Sequence, residues 1–323
     1  MTSAGESAPL ISVVMLSYNH GRYIRQAIQS VIDQERPFAV ELLVSDDGST
    51  DDTVSIVDEL AAAHPDLIRI VSPKEHLGLG GNFRHTCLQC RGKYIAMLDS
   101  DDCWLSRNKL VRQVAALESD PQCTLCFHNA VLWTEWNQTS AMKLPVVVPE
   151  FRGGSYFLKR NPITTMTAMF RNTVDRRVLD TLPGLDLQDL PLWVHLADRG
   201  SVKCLPDLFG FYRIHRHGTY AQSSNLRRLQ ARYESLRRIR EFVSIETGRA
   251  MDRDFARLLL ILSLRKLVQH RQIAAARADW REARRSASRG HVGVLTFFGL
   301  MMNAVVNGLY FGVGKLLVWR SPA

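Results

Sequence analysis

Tyr94-Ile95-Ala96-Met97-Leu98-Asp99-Ser100-Asp101-Asp102-Cys103-Trp104 is the stretch on which the fold turns. Tyr94 to Leu98 has the short apolar pattern of a buried central strand, and it ends in three carboxylates within four residues. Folding alone gives no reason for that cluster. Like charges crowded at a strand end raise one another's pKa unless a cation neutralises them. Closely set carboxylate oxygens suit a hard divalent ion, Mg²⁺ or Mn²⁺, above all when phosphate oxygens complete its shell. The plain alternative is a solvated turn leading into a helix from Arg107 to Glu118, with Ser106 as N-cap. Position favours a site, because open α/β sheets bind ligands beyond the carboxyl ends of their strands.

Upstream, Leu10 to Leu16 is a β-rich apolar run that fits a strand covered on both faces. Ser17-Tyr18-Asn19-His20-Gly21 breaks it, and Tyr23, Ile24, Ala27, Ile28, Val31 and Ile32 then mark one buried helical stripe. A second strand, Val40 to Val44, runs into Ser45-Asp46-Asp47-Gly48-Ser49-Thr50-Asp51-Asp52. Ser49 and Asp52 resemble a capping box for a helix from Thr53 to Ala63, which leaves Asp46 and Asp47 without a structural role. A third strand is expected at about Leu67 to Val71. Two strand–helix repeats and a further strand predict a parallel sheet with right-handed crossovers. Tyr18 and Asp46 should therefore open on the same edge as Asp99 to Asp102, forming an acidic, nucleotide-sized crevice. The glycine-rich run His76 to Phe83 precedes a helix reaching about Cys90. Its spacing matches neither a P-loop nor a dinucleotide fingerprint, so a tight turn competes with phosphate binding.

Ser17-Tyr18-Asn19 after the first strand, Asp46-Asp47-Gly48-Ser49 after the second and Asp99-x-Asp101-Asp102 after the fourth stand in one order and spacing. In this the chain resembles the family-2 glycosyltransferases of the GT-A fold, over roughly residues 10 to 217. The resemblance implies an α/β fold with a Rossmann-like, mostly parallel central sheet and flanking helices. It implies a nucleotide-diphosphate sugar donor, UDP- or dTDP-linked by preference, at Ser17, Tyr18, Asn19, Asp46, Asp47, Asp99 and Ser100. Asp46 would accept the imide N–H of uracil or thymine. Asp99 and Asp101 would hold ribose, sugar and a bridging Mn²⁺ or Mg²⁺. Asp101, Asp102 and His215, in Tyr212-Arg213-Ile214-His215, are the implied metal ligands. His215 also has the ordinary reading of a hydrogen-bonded histidine, and Arg213 or Arg216 could neutralise phosphate instead.

Further along, Asp189 falls where a helix should begin, with Pro191 tolerated in the first turn. An N-cap is the bland role; the resemblance implies the catalytic base of an inverting transfer. Many members carry Glu-Asp here, and this chain carries Gln188-Asp189. With one neighbouring charge missing, no strong rise in the Asp189 pKa is expected. Cys123 to Trp133 reads as a strand, and Thr164 to Phe170 as a strand beneath the acceptor cleft. Thr134 to Gly154 lacks clear periodicity and, by the resemblance, borders the acceptor. No Gln-x-x-Arg-Trp run is present, which favours one sugar per encounter over processive synthesis. A sugar-phosphate nucleotidyltransferase would need its glycine-rich loop after the first strand, where Ser17-Tyr18-Asn19 stands. A non-catalytic scaffold would have no call for Asp46, Asp99, Asp101 and Asp189 together.

The 323 residues are 46% hydrophobic and 23% charged, ordinary for a globular protein. The net charge of +9 is unevenly placed: Asn225 to Gly290 holds 17 Lys and Arg against 7 Asp and Glu, while the first 224 residues net −3. This divides the chain into a catalytic domain, 1–224, and a basic helical region, 225–323. Val292 to Gly314 carries no charged side chain and follows arginines at 277, 281, 284, 285 and 289. It is expected to contact a membrane, lying on it in preference to spanning it, with the basic side toward the cytoplasm, and a hydrophobic hairpin docked on the catalytic domain is the competing reading. A carbohydrate or lipid-linked acceptor fits that placement. No aromatic platform accompanies the basic residues, so nucleic acid is not an expected partner. Met1 to Pro9 lacks a secretory pattern. The pairs Cys87/Cys90 and Cys123/Cys126 read as free thiols of a reducing compartment rather than zinc ligands. The cytoplasmic face of a membrane is the expected location.

Overall fold

The computed structural model describes residues 8–144, 148–216, 218, 223–270 and 273–289. It forms two compact units that divide after Gln222. The first carries ten strands in chain order: β1 (Ile11–Ser17), β2 (Val40–Asp46), β3 (Ile68–Ile70), β4 (Tyr94–Met97), β5 (Cys103–Trp104), β6 (Cys123–Thr134), β7 (Thr139–Met142), β8 (Phe151–Arg152), β9 (Met169–Arg171) and β10 (Ser201–Ile214). Its helices are α1 (Gly21–Ile32), α2 (Thr53–Ala63), α3 (Gly78–Cys87), α4 (Lys109–Glu118), α5 (Tyr156–Lys159), α6 (Arg176–Leu179) and α7 (Asp189–Ala197).

The strand order is β3-β2-β1-β4-β9-β6-β10-β5, with β7 added beside β6 and β8 beside β10. β1 and β2 are buried along their whole length, as their apolar runs require. They pair in parallel with Ser17 opposite Asp46, and β4 runs parallel on the other side of β1. The turn after β1 and the two Asp-bearing turns after β2 and β4 therefore leave the sheet on one edge, as the strand–helix alternation predicts. β9 is antiparallel to both β4 and β6, and β10 runs parallel to β6. The core joins Ile11, Val13 and Met15 of β1 to Ile24, Ile28 and Val31 of α1 and to Tyr94 and Ala96 of β4. All six cysteines are free.

Several local expectations are corrected. Ser106 does not cap α4: the helix starts two residues later behind Asn108, whose side chain the Ser106 hydroxyl bonds at 2.7 Å. The capping box before α2 is absent because Ser49 is recruited elsewhere, by Asp46 and by the Asn19 N–H. The glycine run is helix, not loop: α3 begins at Gly78. Within it a Cβ on Gly80 would lie 2.0 Å from the Leu182 carbonyl oxygen, so close packing rather than a turn calls for glycine. Thr134 to Gly154 contains the hairpin strand β7, whose residues are all exposed and so leave no alternation in the sequence. Thr164 to Phe170 is only partly strand; a 3₁₀ turn, Thr165–Thr167, precedes β9.

The second unit holds α8 (Asn225–Arg238), α9 (Ile245–His270) and α10 (Ile273–Arg289). Ser224 caps α8 by accepting the Arg227 N–H. Leu258, Leu259, Leu260 and Leu262 of α9 and Ala276, Ala283 and Ala287 of α10 are buried. Asp252, Asp254, Asp279, Glu234 and Glu282 are each tied to an arginine or lysine. Arg277, Arg281 and Arg284 occupy one exposed stripe of α10, at helical spacing to one side of its buried alanines. Among the described residues no helix is long and apolar enough to cross a membrane. The apolar stretch Val292 to Gly314 lies outside the described residues.

Candidate active site

Two turns are buttoned together at the carboxyl edge of β1 and β2. Asn19 adopts a left-handed φ of 57°, which asparagine tolerates better than most residues. Its amide oxygen accepts the Thr50 N–H at 2.8 Å, and its own N–H donates to the Ser49 hydroxyl at 2.7 Å. One residue on, the His20 N–H donates to Thr53 Oγ1 and the Gly21 N–H to Asp51. The main chain around His20 is thus fixed from both sides.

Asp46 is buried and largely engaged in its own turn. Its Oδ1 accepts the Gly48 and Ser49 N–H groups, and its Oδ2 accepts the Ser49 hydroxyl. A carboxylate has about four lone-pair sites, so one remains for a base. Asp47 is buried too, with Oδ1 accepting the Leu77 N–H and Oδ2 3.1 Å from His76 Nδ1. The Ser17 hydroxyl is buried and takes no hydrogen bond among the described residues. Within Ser17-Tyr18-Asn19, the ring open to a ligand is that of Tyr18, 49% exposed and 5.5 Å from the His76 ring.

The turn after β4 brings its carboxylates to different ends. Asp101 Oδ2 lies 2.9 Å from Nε2 of His215, a nearly inaccessible ring that follows β10. His20 Nε2 lies 4.0 Å from the same oxygen, and His20 Nδ1 is 2.7 Å from the Ser100 hydroxyl. The ligand atoms of His20, Asp101 and His215 all fall within 4.8 Å of one another. Asp102 does not join them. It is buried, and its Oδ1 accepts the Arg213 N–H at 2.7 Å, which anchors the turn to β10. The Arg213 guanidinium lies over the Tyr23 ring and bonds Gln26, so its charge is directed at α1. Ser100, likewise buried, orients His20.

The electrostatics follow that division. Burial, then the charges of Asp101 and Asp189, push the Asp99 carboxyl well up. Burial and the neighbouring Asp101 and Asp99 charges do the same to Asp102. Burial also opposes ionisation of Asp101, but the contact with His215 and the proximity of His20 outweigh it and hold that carboxyl below its ordinary range. The side chain of Asp99 accepts no hydrogen bond among the described residues, leaving a crowded carboxylate edge with two imidazoles facing it.

Asp189 opens α7 from its first turn, behind Gln188 at the N-cap position. Its Oδ1 accepts the Leu190 N–H at 2.8 Å, while Oδ2 is held at longer range by Trp193 Nε1 and Thr165 Oγ1. Burial raises its pKa without help from a neighbouring glutamate, the charge that Gln188 removes. Lys143, just past β7, is near enough that the Asp189 charge counteracts the lowering of its ammonium pKa by burial. The Tyr212 hydroxyl is pushed up by burial first and then by the charges of Asp102, Asp99, Asp101 and Asp189. His20, Lys143 and Tyr212 were not assigned roles from sequence. The position of His20 directly after the first strand end was the one available signal; Lys143 and Tyr212 needed the folded chain.

A family model described as glycosyl transferase family 2 matches residues 12–180. An uncharacterized protein of Mycobacterium tuberculosis is 31% identical over 220 residues, 68% of this chain and 62% of that protein. This chain thus spans less than two thirds of that relative's length. The Escherichia coli UDP-Glc:alpha-D-GlcNAc-diphosphoundecaprenol beta-1,3-glucosyltransferase WfaP is 26% identical over 209 residues, 64% of this chain and 78% of that enzyme. Among solved structures, a mannosyltransferase from Pyrobaculum calidifontis in complex with GDP-Man and Mn²⁺ superposes with a TM-score of 0.55. The two share 19% identity, over 94% of this chain and 81% of that one.

Proposed function

Since the chain belongs to glycosyl transferase family 2 and has the GT-A fold of its structural neighbours, we propose that it transfers one sugar from a nucleotide-diphosphate donor to an acceptor hydroxyl, inverting C1, with a divalent cation bound. The observation that carries this reading is the cluster of Asp99, Asp101 and Asp102 after β4, with Asp101 2.9 Å from the ring of His215, 114 residues along the chain.

The residues fit a cation: one carboxylate and two imidazoles present their ligand atoms within 4.8 Å, beside two further carboxylates. Asp101 and His215 would hold it. When bound, the ion supplies Lewis-acid neutralisation of the charge gathering on the departing diphosphate. Tyr18, backed by His76, would stack on the base, and the remaining lone pair of Asp46 would accept the imide N–H of a uridine or thymidine donor. Asp99 would accept hydroxyls of the ribose or sugar. Asp189 takes the proton as the acceptor oxygen forms its bond to C1; the C1–O bond to the diphosphate breaks and its electron pair leaves with the diphosphate. Trp193 and Thr165 keep the carboxylate aimed, and no covalent intermediate is required.

A carbohydrate or lipid-linked acceptor in cell-surface polysaccharide or glycolipid synthesis is in keeping with the diphosphoundecaprenol acceptor in the name of the E. coli relative. The arginine stripe of α10 supports attachment to an anionic membrane surface at its cytoplasmic face. The test is turnover across a panel of nucleotide sugars with a glycan or lipid-linked acceptor, the product anomer being read by NMR. An anomer opposite to the donor's supports the reading; retained configuration sinks the role of Asp189.

A further inference from the structure

We propose that His20 is a ligand of the divalent cation, so that the ion sits between two imidazoles and one carboxylate and the site prefers Mn²⁺ to Mg²⁺. The inference rests on the metal-dependent reading above and deepens it. His20, Asp101 and His215 follow three different strands, β1, β4 and β10, yet their ligand atoms lie within 4.8 Å of one another. Bonds of about 2.1 Å to one ion would bring such atoms to roughly 3–4 Å apart. Asp101 sits 2.9 Å from His215 and 4.0 Å from His20.

A merely structural His20 would be bonded to what it faces. At 4.0 Å its Nε2 is beyond hydrogen-bond reach of Asp101, while its Nδ1 is engaged by Ser100 at 2.7 Å. An imidazole tied through one nitrogen, with the other turned to a neighbouring carboxylate and a second imidazole, has the arrangement of a metal-ligating histidine. Its main chain is independently fixed by Thr53 and by the Asn19–Thr50 staple. Asp102, the adjacent carboxylate in sequence, is engaged through Oδ1 by the Arg213 N–H and falls outside the cluster formed by His20, Asp101 and His215. Imidazole donors suit transition ions, whereas Mg²⁺ takes oxygens and keeps its waters.

The test uses the full chain without nucleotide and Mn²⁺ alone, titrated by the free-ion electron paramagnetic resonance signal. Spin-echo modulation then counts the imidazole nitrogens coupled to bound Mn²⁺. Wild type should show two. His20→Gln should show one, bind Mn²⁺ at least ~10-fold more weakly and lose most of its preference over competing Mg²⁺. Ser100→Ala, which frees the His20 ring without removing it, should weaken Mn²⁺ by a smaller factor while both nitrogens remain detectable. Thermal unfolding curves confirm that each variant is folded. Unchanged affinity and two nitrogens in His20→Gln would overturn the proposal while leaving a metal site at Asp101 and His215. Failure of wild type to bind Mn²⁺ would overturn both the proposal and the metal-dependent reading.

Discussion

Burial raises the pKa of Asp189, whose carboxylate is held at the start of α7 by the Leu190 N–H. Asp189→Asn should lower kcat by at least ~10² with donor affinity nearly unchanged; equal kcat in the two proteins would remove it as the base. A base acts ionised, so the acid limb of wild-type kcat should lie above the ordinary aspartate value of 3.8 and vanish from the residual rate of the variant. The linked stability has a definite sign. A folded pKa raised above the unfolded one favours the native state below the unfolded value and loses that contribution as pH rises through the folded one. Asp189→Asn should therefore compare more favourably with wild type in denaturant titrations at pH 7 than at pH 4, and the opposite order would refute the burial effect. Asn19 joined the nucleotide residues by resemblance, but the structure gives its amide oxygen to Thr50 at a left-handed φ. Asn19→Ala should cost about 1–2 kcal/mol; an unaltered melting curve would mean the staple carries no stability.

At the scale of elements, the sequence was most informative where a strand is buried on both faces. The runs that became β1, β2 and β4 contain too many consecutive apolar residues for any surface position, and the alternation with helices then set their direction. Elements read from short polar signals fared worse, because a serine or glycine can satisfy several partners. Ser49 left its capping role for Asp46 and Asn19, and Gly80 of α3 answered to packing while Gly78 answered to a left-handed backbone. Gly80→Ala should thus destabilise the protein by about 1–3 kcal/mol or more, since the obstructing atom is the Leu182 backbone oxygen and has little room to yield. The effect should appear equally in the absence and presence of nucleotide diphosphate. A variant of wild-type stability but weakened nucleotide binding would return the glycine run to a phosphate-binding role. Strand β7 was invisible for the opposite reason: with every residue exposed, it left no hydrophobic period to read.

For the molecule as a whole, charge is partitioned by unit. The catalytic unit gathers carboxylates on one sheet edge, while in the helical unit Glu234, Asp252, Asp254, Asp279 and Glu282 are held in ion pairs and arginines of α10 stay exposed. Changing Arg277, Arg281 and Arg284 together to glutamine should weaken flotation with anionic liposomes, by ~1 kcal/mol for each arginine at the surface, and leave nucleotide binding intact. Liposome binding indifferent to this change would assign the stripe to another partner. The account stands or falls on the coupling between cation and donor at the Asp-rich edge. Calorimetric titration of UDP into the full chain, in Mn²⁺ and again in excess chelator, measures it most directly. Binding in Mn²⁺ that disappears in chelator and in Asp101→Asn is the predicted result; UDP affinity that is the same in chelator would contradict it.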